Sequence, residues 1–185
     1  MREDKDLDRF FVITGGPGSG KSTLLEALAD EGLPHMPEAG RAVIREEMAA
    51  GGTALPWDDR EAFADRMLVH DLHAYAQGQM REGVLFFDRG IPDIIGYRRL
   101  CGLPIPDRLV HEAERRRYNR HVFIAPPWAE IYANDAERKQ DWAEAVATHD
   151  AMVRVYEELG YVLVPLPLVS PAERAAFVQA RIVKA

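Results

Sequence analysis

The stretch GGPGSGKST, Gly15 to Thr23, decides the fold of this 185-residue chain. From Gly15 to Ser22 it fits the pattern G-x-x-x-x-G-K-[ST] in full. The apolar run 10–13 precedes it and the helical pattern 21–30 follows it, so the stretch is predicted to join a buried strand to a helix. This is the context that a phosphate-binding loop requires, and the alternative is an ordinary glycine-rich turn between a strand and a helix.

Each residue type in the stretch has a physical reason to meet phosphate. Backbone N–H groups reach phosphate oxygens only where no side chain blocks the approach, which favours glycine. The helix that begins at Lys21 adds unpaired N–H groups and the positive end of its dipole. Lys21 would reach the outer phosphates, and the Ser22 hydroxyl would bind Mg²⁺. We predict that ATP, with GTP as the alternative, binds with Mg²⁺ to Gly15, Gly16, Pro17, Gly18, Ser19, Gly20, Lys21, Ser22 and Thr23.

Composition and charge exclude several other classes of protein. Hydrophobic residues make up 47% and charged residues 29%, as in globular proteins, and the length suits one domain, 1–185. The net charge of -7 argues against general nucleic-acid binding, and no apolar run suits a membrane span. The single cysteine, Cys101, cannot form an internal disulfide. We expect a cytoplasmic protein without nucleic-acid or membrane partners, and the oligomeric state stays open.

Helical patterns alternate with further apolar runs along the chain. Short apolar strands separated by helices predict a parallel sheet covered on both faces, and thus a three-layer α/β/α fold with about five strands. The predicted strands are 10–14, 33–38, 84–88, 121–125 and 161–166. The predicted helices are 21–30, 39–50, 58–80, 92–100, 108–118, one that carries the stripe 142–156, and one that begins after Ser170.

Asp88 ends the predicted strand 84–88, at the edge where sites of open α/β sheets form. P-loop proteins keep the acid that holds Mg²⁺ at such a position. The next residue is Arg89, whereas motor-type ATPases usually carry a second acid there, and no Asn-Lys-x-Asp element for reading guanine is present. A small-molecule kinase and a slow, sensor-like nucleoside triphosphatase remain.

Several segments beyond the phosphate loop carry a family resemblance. They are Pro-Glu-Ala-Gly-Arg at 37–41, Phe-Asp-Arg-Gly at 87–90, Tyr-Ala-Asn-Asp-Ala-Glu-Arg at 132–138 and Gly-Tyr-Val-Leu-Val-Pro-Leu-Pro at 160–167. Over nearly its whole length the chain resembles predicted ATPases related to the kinase domain of the NAD-biosynthesis regulator, a group with nicotinamide riboside kinase-like domains. The resemblance implies a parallel five-stranded P-loop kinase-like core and a mobile helical lid, at about 127–142.

The resemblance also implies an acceptor site. Glu38 matches the carboxylate that lies near the acceptor hydroxyl in nucleoside kinases and can act as base, although a glutamate there could also balance a helix dipole. Arg41 and Arg45, one helical turn apart, could meet an anionic acceptor or simply face water. Arg89 could bind substrate or the transferring phosphoryl group, or form an internal salt bridge.

Two further groups complete the candidate site. Asp93 is either a second acid for the substrate or a structural acid at a helix start. Arg138, with Lys139, could close over the phosphates from the lid or face solvent. Lys21, Glu38, Asp88, Arg89 and Arg138 are thus the predicted catalytic residues, and Ser22 and Asp88 the predicted metal ligands. The favoured function is an ATP- and Mg²⁺-dependent kinase of a small metabolite, with a nucleoside-like compound as the candidate acceptor. The rival is a slow ATPase or nucleotide-binding signalling module.

Overall fold

A parallel sheet of five strands forms the centre of the protein. The computed structural model describes residues 8–132 and 141–182. Within them the sheet order is β2-β3-β1-β4-β5, and every neighbouring pair is parallel. The strands are β1 (Phe10–Gly15), β2 (His35–Met36), β3 (Leu85–Asp88), β4 (His121–Ala125) and β5 (Val162–Pro165).

Helices cover both faces of this sheet. They are α1 (Lys21–Asp30), α2 (Ala39–Ala50), α3 (Arg60–Gln79), α4 (Ile91–Leu100), α5 (Asp107–Arg115), α6 (Trp142–Glu158) and α7 (Pro171–Ile182), with a 3₁₀ turn at Ala129–Ile131. Side chains of β1 alternate between two cores, because successive residues of a strand point to opposite faces. Phe10 packs with Tyr75 and Tyr156 of α3 and α6, whereas Phe11 packs with residues of α1 and α7. The predicted three-layer α/β/α fold is confirmed.

Strand register brings the predicted site residues to one edge of the sheet. Ile13 pairs with Asp88, and Gly15 pairs with Ala125, so β1, β3 and β4 end together. The phosphate loop leaves β1 at this edge, and Asp88 ends β3 beside it. In the described part of the chain, no helix combines the length and the hydropathy that crossing a membrane would need.

One predicted helix is shorter than its sequence pattern suggests. The pattern 108–118 predicts a helix to Tyr118, but α5 ends at Arg115. Tyr118 is instead buried in the core, where its hydroxyl accepts a hydrogen bond from the backbone N–H of Ile91. Tertiary packing of a large aromatic ring therefore overrides local helix propensity at this point.

Candidate active site

The phosphate loop depends on two glycines for its shape. Gly20 caps the N-terminus of α1 in the left-handed region, at φ 77°, which glycine adopts without a steric penalty. Gly16 lies against α6, where a Cβ atom would come within 2.3 Å of the carbonyl oxygen of Ala145. Only glycine permits this approach, so the loop is fixed between the sheet and α6.

Lys21 lies inside the loop that precedes it. Its ammonium group donates hydrogen bonds to the carbonyl oxygens of Gly15, at 3.1 Å, and Gly16, at 2.6 Å. The Ser19 hydroxyl also lies 3.3 Å from the ammonium and donates to Gly16 O at 2.8 Å. Lys21 is only 4% exposed, so its positive charge is buried against the backbone of the loop.

Arg174 connects α7 to the same loop, although no motif in the sequence points to it. Its Nη1 donates to Ser19 O at 2.8 Å, and its Nε donates to Pro167 O at 2.8 Å. The guanidinium group lies 4.9 Å from the ring centre of Trp128, and Nη2 has no hydrogen-bond partner among the described residues. Burial lowers the pKa of Arg174. A charged residue on the buried stripe that includes Ala175 and Val178 is the signal that could have found it.

The predicted metal ligands are one hydroxyl and one carboxylate. Ser22 lies exposed in the first turn of α1, and Asp88 is 7% exposed at the end of β3. Among the described residues, no group of three or more His, Cys, Asp or Glu side chains could hold a metal. Mg²⁺ is usually bound by one or two protein oxygens together with substrate phosphates and water. The hard oxygen donors of Ser22 and Asp88 therefore fit Mg²⁺.

Arg89 adopts a strained backbone conformation and contacts two carboxylates. At φ 70° it is the one non-glycine residue in the left-handed region among the residues described, a conformation that costs roughly 1–3 kcal/mol. Its Nε lies 3.2 Å from Glu38 Oε1, and its Nη1 lies 3.2 Å from Asp93 Oδ1. Burial lowers the pKa of Arg89, but the neighbouring carboxylates outweigh burial and raise it above its usual value.

Glu38 immediately precedes α2 and its side chain makes no capping hydrogen bond. Instead it contacts Arg89 and lies 3.5 Å from the Nε of Arg41. Arg45, predicted beside Arg41, is exposed and does not line the cavity next to these residues. The structure therefore brings together Glu38, Arg41 and Arg89, and leaves Arg45 apart.

Asp93 is a buried junction between three elements. Its Oδ1 accepts hydrogen bonds from the Thr14 hydroxyl at 2.5 Å and from Arg89. Its Oδ2 accepts from the Gly90 backbone N–H at 2.9 Å and from the Tyr156 hydroxyl at 2.6 Å. These four bonds join the end of β1, the turn after β3 and helix α6. Asp93 is thus also the helix-start acid of α4, the structural alternative that its position suggests.

A cavity with a volume of about 490 Å³ adjoins these residues. Glu38, Arg41, Arg89 and Asp93 all line it. Its apolar wall includes Phe63 and Tyr97, whose rings pack edge to face at 5.5 Å, and Trp57, which is 51% exposed. Asp71 of α3 also lines it, although no motif in the sequence points to this residue. An acid on the buried helical stripe of Ala64, Leu68 and Tyr75 is the signal that could have found it.

The predicted lid residues are described only at their margins. Arg138 and Lys139 lie outside the described residues. The ring of Tyr132 lies against the phosphate loop, since a Cβ atom on Gly18 would come within 2.6 Å of its Cδ2. Tyr132 also packs edge to face with Trp142 at the start of α6, with ring centres 5.4 Å apart.

Comparison with protein families assigns the chain. A family model described as an AAA domain matches residues 10–174, from the start of β1 into α7. The chain belongs to this AAA-domain family. Comparison with curated protein sequences gave no match.

Solved structures of similar fold include several kinases. A crystal structure of NadR protein in complex with NR has a TM-score of 0.76 and 21% identity; it covers 100% of this chain and 53% of that chain. This AAA-domain chain thus spans about half the length of NadR. Deoxyadenosine kinase from M. mycoides with bound dATP has a TM-score of 0.63 and 12% identity, covering 95% and 99% of the two chains. Shikimate kinase from Acinetobacter baumannii in complex with shikimate has values of 0.56 and 14%, covering 100% and 98%.

These identities are low enough that the likeness shows the fold alone, and that fold is the predicted P-loop kinase-like one. The predicted resemblance to the kinase domain of the NAD-biosynthesis regulator is confirmed. The chain thus belongs to the AAA-domain family and has the same fold as these kinase structures.

Proposed function

We propose that this AAA-domain chain transfers the γ-phosphoryl group of ATP to a hydroxyl group of a small, nucleoside-like acceptor. The observation that carries this proposal is the cavity of about 490 Å³ beside the phosphate-loop edge, with Glu38 and Arg89 on its wall. Its volume lies within the range of small-molecule sites. A plain ATPase needs only a water molecule at this place, whereas a kinase needs room for an acceptor.

In this reaction an acceptor hydroxyl oxygen attacks the γ-phosphorus, and the bond from that phosphorus to the β–γ bridging oxygen breaks, which releases ADP. Glu38 takes the acceptor proton, a role that fits a carboxylate held by Arg89 and Arg41. Arg89 also offers positive charge beside the transferring group. Positioning and charge neutralisation are the main demands of phosphoryl transfer, so no stronger base is needed.

The phosphates of the nucleotide would bind along Gly15 to Thr23. Lys21 would exchange the carbonyl oxygens of Gly15 and Gly16 for phosphate oxygens. Ser22 and Asp88 would hold Mg²⁺, which neutralises phosphate charge when it is bound. Arg174 would keep Ser19 and the rest of the loop in place from α7. Residues 1–185 would act as one domain. Closure of Arg138 over the phosphates and a cytoplasmic location both stay predictions.

An ADP-formation assay tests the proposal. Purified protein with Mg-ATP is assayed alone and then with adenosine, deoxyadenosine, cytidine, thymidine, nicotinamide riboside or shikimate, with Lys21→Ala as control. The proposal predicts that one hydroxylated acceptor raises ADP formation by orders of magnitude. ADP formation that depends on Lys21 but is the same with every compound would instead favour the slow ATPase or signalling module.

A further inference from the structure

Asp71 is a buried acid in the middle of α3 that lines the cavity. It is 7% exposed, and its neighbours along the helical stripe, Leu68 and Tyr75, are buried apolar or aromatic residues. Within residues 8–132 and 141–182 its carboxylate forms neither a hydrogen bond nor an ion pair. A buried carboxylate without such partners is costly to the folded protein, since burial removes its hydration.

The other acids deep in the cavity do have partners. Glu38 pairs with Arg89 and Arg41, and Asp93 accepts four hydrogen bonds. Asp71 lies close enough to Glu38 and Asp93 to be repelled by their charges. Arg89 attracts Asp71 as well, but its guanidinium group is already paired with Glu38 and Asp93. Asp71 is therefore left as a negative group that lacks a hydrogen-bond donor among the described residues.

The wall of the cavity also contains flat apolar surface. Phe63 and Tyr97 pack edge to face, and Trp57 stands half-exposed among the lining residues. Aromatic side chains of this kind pack well against a planar ring. A ligand that satisfies both features has a planar apolar part and a group that donates hydrogen bonds without carrying negative charge.

From the burial of Asp71 and its place on the cavity wall, we infer that Asp71 is a specificity-determining residue for the acceptor. It accepts hydrogen bonds from a hydroxyl or amino group of a planar, non-anionic acceptor, and it repels carboxylate or phosphate groups at that position. This inference rests on the proposed function, because it takes the cavity to be the acceptor site. It also reverses the expectation that Arg41 and Arg45 select an anionic acceptor.

The test compares Asp71→Asn with Asp65→Asn, a matched change on the same helix. Asp65 pairs with Arg98 at 2.6 Å and does not line the cavity. Binding is measured without ATP by thermal shift and calorimetry, so that it is read independently of turnover. The probes are adenosine, purine riboside, 2′-deoxyadenosine, cytidine, uridine and shikimate. Purine riboside lacks the amino group of adenosine, and 2′-deoxyadenosine lacks one hydroxyl, so the two sources of the donor are separated.

The inference predicts that, at alkaline pH where Asp71 is ionised, Asp71→Asn raises the thermal midpoint of the free protein, because it removes an uncompensated buried charge. The same change weakens the best donor-bearing ligand about 10- to 100-fold, the range for a hydrogen bond to a charged group. Asp65→Asn leaves ligand binding unchanged. Loss of affinity on removing the amino group or the hydroxyl from adenosine identifies which donor Asp71 receives.

Three results would overturn the inference: unchanged ligand affinity in Asp71→Asn, tightest binding by shikimate, or no binding by any of the six compounds. Failure of the proposed function has a different signature, in which compounds bind in an Asp71-dependent way but gain no phosphate. If phosphate transfer occurs with equal KM in the wild type and in Asp71→Asn, the proposed function stands and Asp71 has no part in acceptor choice.

Discussion

Arg89 Nε lies 3.2 Å from Glu38 Oε1, and this ion pair joins the turn after β3 to the residue that precedes α2. Arg89 follows the candidate metal ligand Asp88, so the pair couples the phosphate-loop edge to the wall of the cavity. The left-handed backbone of Arg89 is costly and is held by its contacts with Glu38 and Asp93. Strain of this kind is a reason to look for function at the site.

Glu38→Gln tests the candidate base. Glutamine cannot take the acceptor proton, so we expect kcat to fall by about 10²–10⁴-fold, the usual contribution of general base catalysis. Glu46→Gln within α2 is the matched control, since Glu46 is half-exposed and, among the described residues, pairs with Arg66 and His70 away from the cavity. Steady-state kinetics with the identified acceptor gives both values. Equal kcat in the two variants would remove Glu38 from catalysis.

Lys21→Ala removes the ammonium group from the phosphate loop. We expect ATP binding to be lost or strongly weakened, because a charged donor to the phosphates disappears. Calorimetric titration with ATP measures the affinity, and circular dichroism checks that the fold persists. ATP binding that is as tight in Lys21→Ala as in the wild type would contradict the proposed phosphate site.

Asp93→Asn tests the junction between β1, the turn after β3 and α6. An amide in place of the carboxylate loses charged acceptors for Thr14, Arg89 and Tyr156. We expect the free energy of unfolding to fall by about 3 kcal/mol, the scale for breaking a buried charged network. Urea unfolding measures it, and the exposed Asp30→Asn should change it by less than about 0.5 kcal/mol. A loss no larger than that of the control would make Asp93 a substrate residue alone.

The stability of the wild type should depend on pH through Asp71. Burial, and then the charges of Asp93 and Glu38, raise the pKa of Asp71 well above its usual value, while Arg89 opposes them and Asp88 adds to them. The folded state therefore keeps a proton that the unfolded state releases above a pH of about 4. Between these pKa values, the free energy of unfolding of the wild type falls relative to that of Asp71→Asn as pH rises.

Urea unfolding of both proteins across this pH range measures the difference. The free energy of unfolding of the wild type should be highest, relative to that of Asp71→Asn, at low pH. This advantage should shrink or reverse as the pH rises to the raised pKa of Asp71. Parallel profiles for the two proteins would mean that Asp71 titrates normally and is hydrated in the folded state.

Gly16→Ala tests the contact between the phosphate loop and α6. The new Cβ atom would lie 2.3 Å from Ala145 O, so the loop or the helix must shift. We expect a loss of about 1–3 kcal/mol of stability together with weaker ATP binding. Gly32→Ala is the control. Its φ of +82° carries a backbone cost of roughly 1 kcal/mol, but a Cβ atom there would meet open space, just beyond the end of α1 that lies opposite to the phosphate loop. ATP affinity should fall only in Gly16→Ala.

The sequence predicts the fold well because the decisive signals are local. The bounds of α1, α2 and β4 match their predicted ranges, since the phosphate-loop glycines, the Gly51 stop and the paired prolines after β4 punctuate the chain clearly. The end of α5 was predicted wrongly because burial of Tyr118, which depends on distant residues, decides it. The order of the strands is likewise set by tertiary pairing and not by any local pattern.

The candidate site is less accessible to sequence reasoning. Motif position predicts Lys21, Ser22 and Asp88, but which helix residues face the cavity depends on how α2 and α3 pack. The sequence therefore does not distinguish Arg45, which is exposed, from Arg41, which lines the cavity. Asp71 belongs to no motif, and only the packing of α3 beside the cavity shows that this acid lines it.

The central claim is transfer of phosphate to an acceptor, and mass spectrometry of the products tests it most directly. The protein is incubated with Mg-ATP carrying ¹⁸O in its γ-phosphoryl group and with the acceptor that raises ADP formation most. The account predicts an acceptor that gains one labelled phosphoryl group, in wild type and not in Glu38→Gln. Labelled inorganic phosphate with unmodified acceptor would contradict it and would make the protein an ATPase.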